Sequence, residues 1–123
     1  MATLENTSPD RPVYLLADAV SIGASSSASY QVSCDGFDWC YVEVDSDKTY
    51  TIQGIGQSGF GEDTYYNLVD DSGGLASRPA IAAGAGYGMI FPCRNFATAG
   101  VRYINGDAGA AATVTVRITL AHE

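Results

Sequence analysis

The chain is poor in basic residues. Its 123 residues include a single lysine, Lys48, and five scattered arginines against 14 acidic residues, which gives a formal net charge of −8. A protein that binds nucleic acid or an anionic membrane needs clustered Lys and Arg to neutralise phosphates. We therefore expect neither partner, and a solvated acidic surface accounts for the charge.

Long apolar runs are also missing. No segment approaches the roughly 20 apolar residues that a membrane-spanning helix needs. The polar residues 1–12 lack the basic region and apolar stretch of a secretory signal peptide. We therefore expect the protein either on a virion surface, where no signal is needed, or outside the cell after removal of a signal.

Histidine occurs once, as His122 beside the C-terminus. A Ser-His-Asp or Cys-His catalytic device needs a base that its surroundings hold in place, and a terminal histidine is a poor candidate. Zinc bound by Cys34, Cys40, Cys93 and His122 would have the right ligand count, but the C-x₂-C spacing of such sites is missing. We therefore expect no enzyme and no cofactor, and assign no catalytic residue.

The three cysteines are an odd number, which argues against a fully paired secreted framework. Cys34 and Cys40 flank the turn-like segment DGFDW, and Cys93 lies in the apolar run IFPC. A disulfide between Cys34 and Cys40 is one alternative, and small buried thiols in a core are the other.

Residues 54–59, GIGQSG, match the G-x-G-x-x-G pattern of dinucleotide sites. Such a site requires the glycines to open a helix whose amides meet the pyrophosphate. A strand-like segment with another glycine follows instead. We therefore interpret residues 54–59 as a flexible loop.

Acidic residues are paired in several turn-like segments. Calcium prefers several oxygen ligands on a flexible loop, and the candidates here are Asp63, Asp70 and Asp71. The calcium-loop pattern with its bidentate Glu is missing, and Asp and Gly in turns explain the same residues. We therefore assign no metal and keep these three aspartates as calcium candidates.

Alternation of apolar and polar residues is the dominant pattern. Val114, Val116, Ile118 and Leu120 share one face of a segment whose other face carries Thr and Arg. Residues 39–44 alternate in the same way. The segment DSDK then precedes a second alternating segment, which predicts a hairpin.

Further predicted strands are separated by turns rich in Gly, Ser and Asp, and they cover residues 13–16, 28–33, 64–69, 89–91 and 101–105. About seven or eight short strands predict an all-β fold, an antiparallel β-sandwich that is jelly-roll-like. We predict one domain over residues 13–123, preceded by an N-terminal arm of residues 1–12.

Three aromatic residues are the predicted binding residues. Trp39 and Tyr41 alternate with the inward Cys40 and Val42, and Tyr65 is outward on another predicted strand. Exposed aromatic side chains on a sheet can stack on sugars or dock proteins.

Several segments resemble the bacterial pre-peptidase C-terminal domain. The resemblance rests on residues 38–44 (DWCYVEV), 47–52 (DKTYTI) and 63–77 (DTYYNLVDDSGGLAS), followed by GVRYIN and TVTVRI near the C-terminus. It implies a compact, non-catalytic β-sandwich of the kind appended to secreted hydrolases, with calcium or substrate binding in some members.

Taken with the acidic surface, these patterns favour a non-enzymatic structural or interaction module. We expect it to assemble onto a larger protein surface as a homo-oligomer, for example as a capsid decoration (cement) or tail protein of a virion. The alternative is a secreted accessory binding domain of a hydrolase that recognises polysaccharide or matrix protein.

Overall fold

A computed structural model describes residues 3–6, 11–57, 66–67, 77–94 and 96–122. In this part of the chain all regular structure is β. The strands are β1 (Thr3–Asn6), β2 (Val13–Ile22), β3 (Ser27–Ser33), β4 (Trp39–Ser46), β5 (Tyr50–Gln57), β6 (Tyr66–Asn67), β7 (Ser77–Ile81), β8 (Tyr87–Pro92), β9 (Thr98–Asn105) and β10 (Ala112–Ala121). No helix in these segments could cross a membrane.

The strands form two antiparallel sheets. The first has the order β1-β2-β10-β4-β8 and the second the order β3-β9-β5-β6, with β7 also paired to β5. Pairing is nested along the chain: β2 pairs with β10, β3 with β9, β4 with β8 and β5 with β7. A long hairpin rolled into two facing sheets has this pairing, so the predicted jelly-roll-like sandwich is confirmed.

The core lies between the two sheets. Val114, Val116, Ile118 and Leu120 of β10 are fully buried, as their alternation predicts. On β4 the inward residues are Cys40, Val42 and Val44, and the second sheet contributes mainly Tyr50, Ile52, Val101 and Tyr103. The inward face of β4 is therefore committed to packing, and its other face is available for contacts.

The predicted hairpin at DSDK is wrong. β4 pairs with β8 and β10 in the first sheet, whereas β5 pairs with β9, β7 and β6 in the second. The segment is therefore a corner between the sheets, and buried Ser46 anchors it by a 2.7 Å hydrogen bond to the hydroxyl of Tyr103. Alternation reports which face of a strand is buried, but not which strand lies beside it.

The expected loop at residues 54–59 is also wrong for its described part. Residues 54–57 belong to β5 and pair with β9 from Val101 to Thr98. Gly54, Ile55, Gly56 and Gln57 are all buried. Glycine suits this position because the backbone is packed on both sides, so the pattern here is a packing feature of a strand.

Part of the predicted arm belongs to the sheet, since β1 pairs with β2 through Leu4 and Tyr14. β2 itself contains a bulge at which Ala19 has a φ of 52°, and its amide donates to Thr115 Oγ1 at 3.1 Å. Such a bulge twists the strand and bends the sheet that carries β4.

Candidate functional site

The candidate site lies on the outer face of the first sheet. β4 directs Trp39, Tyr41 and Glu43 outward, because their neighbours in the strand fill the core. On one side their register partners in β8 are Pro92, Ile90 and Gly88. On the other side the partners in β10 are Ala121, Thr119 and Arg117.

Tyr41 and Ile90 are direct partners across β4 and β8. Their side chains are 37% and 56% exposed, and they are the two exposed large hydrophobic residues in the described segments. Removal of apolar surface from water is the dominant favourable contribution to folding. An apolar pair that the fold leaves exposed therefore indicates a contact with another molecule, whereas a buried pair is explained by packing.

Gly88 shapes this pair. A Cβ atom at Gly88 would overlap the hydroxyl and ring of Tyr41. The ring therefore lies across the backbone of β8, where a side chain would otherwise stand. Because Gly88 has no side chain, the ring of Tyr41 can pack against the backbone of β8 beside Ile90.

Tyr41 and Ile90 border an open groove of about 420 Å³. We call it the aromatic groove; its lining residues are Arg11, Val13, Trp39, Tyr41, Glu43, Ile90, Thr119 and Ala121. The lining is mainly apolar, with Arg11 and Glu43 as its charged members. Such a groove can accept an apolar side chain and hold polar groups at its rim.

An acidic stripe continues from the aromatic groove along β4. Tyr41 and Glu43 also line a second cleft, of about 250 Å³, together with Asp45, Gly86 and Tyr87. Glu43 and Asp45 are exposed. The outer face of β4 thus changes from aromatic at Trp39 to acidic at Asp45, so it offers apolar contacts at one end and negative charge at the other.

Of the predicted binding residues, the structure brings Trp39 and Tyr41 together in the aromatic groove, while Tyr65 lies outside the described residues. The calcium candidates Asp63, Asp70 and Asp71 also lie outside them. Ile90, Arg11 and Thr119 were not predicted. The alternation of Ile90 with the buried Phe91 in β8 was the sequence signal that could have predicted the exposure of Ile90. The position of Ile90 beside Tyr41 depends on the β4–β8 register.

The three cysteines are buried and unbonded. No disulfide joins Cys34 to Cys40, and the alternative of buried thiols describes this structure. Cys40 faces the core from β4, where burial raises its thiol pKa well above the ordinary value. Cys34 lies in the turn after β3, and its thiol instead meets the carbonyl oxygens of Cys93 and Phe96, at 3.8 and 3.3 Å from its Sγ.

His122 is exposed, and its ring stacks on Phe37 with 4.6 Å between centroids. It does not join the cysteines in a metal site, and no group of three or more His, Cys, Asp or Glu suited to a metal occurs among the described residues.

No family model and no curated protein matches this sequence. Solved structures do match the fold. The SPBc2 prophage-derived protein YomS is 15% identical, with a TM-score of 0.55 over 96% of this chain and 98% of that one. The PBSX exported protein XepA is also 15% identical, with a TM-score of 0.57 over 94% of this chain but 39% of that one. At this identity the likeness concerns the fold.

Proposed function

We propose that this protein is a non-enzymatic interaction module that attaches through the aromatic groove to the surface of a larger protein assembly. The observation that carries this proposal is the exposed pair Tyr41 and Ile90, side by side beside Trp39 on a sheet whose other face is fully packed. Aromatic and aliphatic side chains clustered in a groove are typical anchors of protein interfaces.

The chemistry of the groove favours binding over catalysis. Its one carboxylate, Glu43, is exposed, and the thiols of the protein are buried in the core. Catalysis by a nucleophile or a general acid needs a second catalytic side chain that the fold holds within hydrogen-bonding distance. The aromatic groove contributes shape and apolar surface instead.

The partner that fits this face is a protein surface with an apolar side chain close to Lys or Arg. The apolar side chain would occupy the space between Trp39, Tyr41 and Ile90. A basic group beside it would lie over Glu43 and Asp45, where the net charge of −8 reinforces the attraction. The same negative charge would repel the corresponding face of another copy of this protein.

We place the assembly in a virion, with this protein as a capsid decoration or tail component in several copies. The prophage-derived YomS, which matches this fold over nearly its whole length, supports that context. XepA, whose fold this chain also matches, is an exported protein, and this supports a location outside the cell or on a virion surface.

Photo-crosslinking in the native source material tests the proposal. A photoreactive amino acid at Ile90 should give a covalent adduct with a different protein, in a fraction that sediments with large particles. The matched control is Ser29, an exposed residue of β3 on the opposite sheet, which should give no such adduct. Equal labelling from both positions, or a protein that sediments alone as a 12.9 kDa monomer, would overturn it.

A second candidate function is recognition of polysaccharide, as an accessory binding domain of a secreted hydrolase. The observation that favours it is the neighbouring pair Trp39 and Tyr41, since sugar rings stack on aromatic faces. Trp39 is the single tryptophan, so a glycan in the groove should change the intrinsic fluorescence directly. Retention on insoluble glycans that Trp39→Ala abolishes, with an unchanged fold, would favour this function over attachment to protein.

A further inference from the structure

Cys34 and Cys93 occupy matching positions in two facing turns. The carbonyl oxygen of Cys34 accepts the amide of Phe37 at 3.0 Å, and the carbonyl oxygen of Cys93 accepts the amide of Phe96 at 3.1 Å. Each cysteine is therefore the first residue of a tight turn. One turn connects β3 to β4, and the other connects β8 to β9.

The two turns hold each other through their backbones. The amide of Cys34 donates to the oxygen of Ala97 at 2.9 Å, and the amide of Cys93 donates to the oxygen of Asp38 at 2.9 Å. Each cysteine thus binds the residue that directly follows the other turn. This reciprocal pairing fixes both Cα positions and aims both side chains into the same part of the core.

The side chains meet there. Cys34 and Cys93 are completely buried. The Sγ of Cys34 lies 3.8 Å from the carbonyl oxygen of Cys93, and the Sγ of Cys93 lies 3.7 Å from the carbonyl oxygen of Phe37, in the turn that Cys34 begins. The interaction with Cys93 raises the pKa of Cys34, with a further contribution from burial, and the interaction with Cys34 lowers the pKa of Cys93.

We propose that Cys34 and Cys93 form an intramolecular disulfide when the protein meets an oxidising environment. With glutathione disulfide as the oxidant, the Cys93 thiolate attacks one of its sulfur atoms, forms a mixed disulfide and releases one glutathione. The Cys34 thiolate then attacks the Cys93 sulfur and releases the second glutathione. Two protein thiols lose two electrons and two protons, and one glutathione disulfide becomes two glutathione molecules.

The cross-link would tie the ends of the two strands that carry the aromatic groove. Cys93 directly follows Pro92, the register partner of Trp39. Cys34 begins the turn that leads to Trp39, the first residue of β4. The disulfide would close a long loop of chain, and such loops give the larger stabilisation because they constrain the unfolded state most. This inference does not depend on what the groove binds.

Oxidation of the folded protein with excess glutathione disulfide tests the pairing. The reaction is run with and without a sub-denaturing urea concentration that lets the turns open, and free thiols are then alkylated in denaturant and counted by mass. Of three thiols in the reduced protein, we expect one to remain, and peptide mapping should join Cys34 to Cys93. The melting temperature should rise by roughly 5–15 °C on oxidation.

Cys40→Ser is the matched control, because Cys40 is equally buried but belongs to β4. It should leave the cross-link and its thermal shift intact, whereas Cys34→Ser and Cys93→Ser should abolish both. Three free thiols in the oxidised wild type, a stable glutathione adduct, or a link that includes Cys40 would each overturn the proposal. The wild-type mapping decides the matter even if a serine variant fails to fold.

Discussion

Tyr41 and Ile90 face each other across β4 and β8 and are both exposed, although each directly adjoins core residues in its strand. Cys40 and Val42 flank Tyr41, and Phe91 follows Ile90, all of them fully buried. Successive side chains of a strand point to opposite faces of the sheet. One face of this sheet therefore packs in the core, and the other exposes an apolar pair to solvent.

Ile90→Asp should abolish attachment and leave the fold intact. The side chain lies outside the core, so the free energy of unfolding should change by less than about 1 kcal/mol. Affinity for the partner should fall by about 30-fold or more, because a charge would replace a central apolar contact. Urea denaturation and binding to the crosslinked partner measure the two effects. Ser29→Asp is the control, and equal loss of binding in both variants would contradict a role for the groove.

Gly88→Ala should displace the ring of Tyr41. The new methyl group would occupy the space of the Tyr41 hydroxyl, and an exposed side chain can rotate away at small cost. We expect altered NMR signals from the Tyr41 ring and weaker partner binding, with a stability change of about 1 kcal/mol or less. Gly109→Ala, whose new methyl group would make only an ordinary van der Waals contact with Asp107 Oδ1 at 3.6 Å, is the control. A Tyr41 ring that stays in place in Gly88→Ala would be the contrary result.

Tyr50 should make the protein sensitive to alkaline pH. Burial, with smaller contributions from Asp45 and Tyr103, raises the pKa of Tyr50 to about 12, and its hydroxyl donates to the oxygens of Ala85 and Val44 at 2.7 and 3.1 Å. A phenolate there would face two carbonyl oxygens.

Because the folded-state pKa is raised, the stabilisation by Tyr50 is complete below about pH 10 and is lost as the pH rises towards 12. We expect the free energy of unfolding to fall by on the order of 1–2 kcal/mol over that interval through Tyr50. Tyr50→Phe should be less stable at neutral pH, by about 1 kcal/mol, but should lose less on alkalinisation. Tyr41→Phe, which removes an exposed hydroxyl, is the control. Parallel stability curves for wild type and Tyr50→Phe would count against this assignment.

Asn105 should be the most costly polar residue to replace. Its side chain is buried, and its Nδ2 donates to the oxygens of Ile22, Gly23 and Ala110 at 3.0–3.2 Å. Its Oδ1 accepts the amide of Asp107 at 2.9 Å. One amide thus joins the end of β2 to the turn between β9 and β10.

Asn105→Ala should cost about 2–3 kcal/mol, because it leaves buried carbonyl groups without a donor. Asn105→Asp should cost more at pH 7, since a carboxylate would face those oxygens, and should recover part of the loss at pH 4, where the carboxyl can donate. Urea denaturation at both pH values measures this. A loss for Asn105→Asp that does not depend on pH would contradict the proposed contacts.

Much of the fold could be predicted from alternation. The inward residues Val114, Val116, Ile118 and Leu120 were correctly predicted on β10, as was the division of β4 between core and solvent. That division also predicted that Trp39 and Tyr41 share an outward face. Alternation is a local property of the chain, because a strand with one buried face needs apolar residues at every second position.

The partners of each strand could not be predicted in this way. Ile90 was missed as a site residue, and DSDK was wrongly predicted to be a hairpin, because both depend on which distant strand lies alongside β4. The sequence by itself determined that the chain forms an antiparallel β-sandwich, that its surface is acidic, and which residues of β4 point away from the core. Only the tertiary structure decided that Tyr41 meets Ile90 and that Cys34 meets Cys93 rather than Cys40. Contacts between residues about 50 or 60 positions apart come from the register and the turns of the folded sheets, and no local pattern records them.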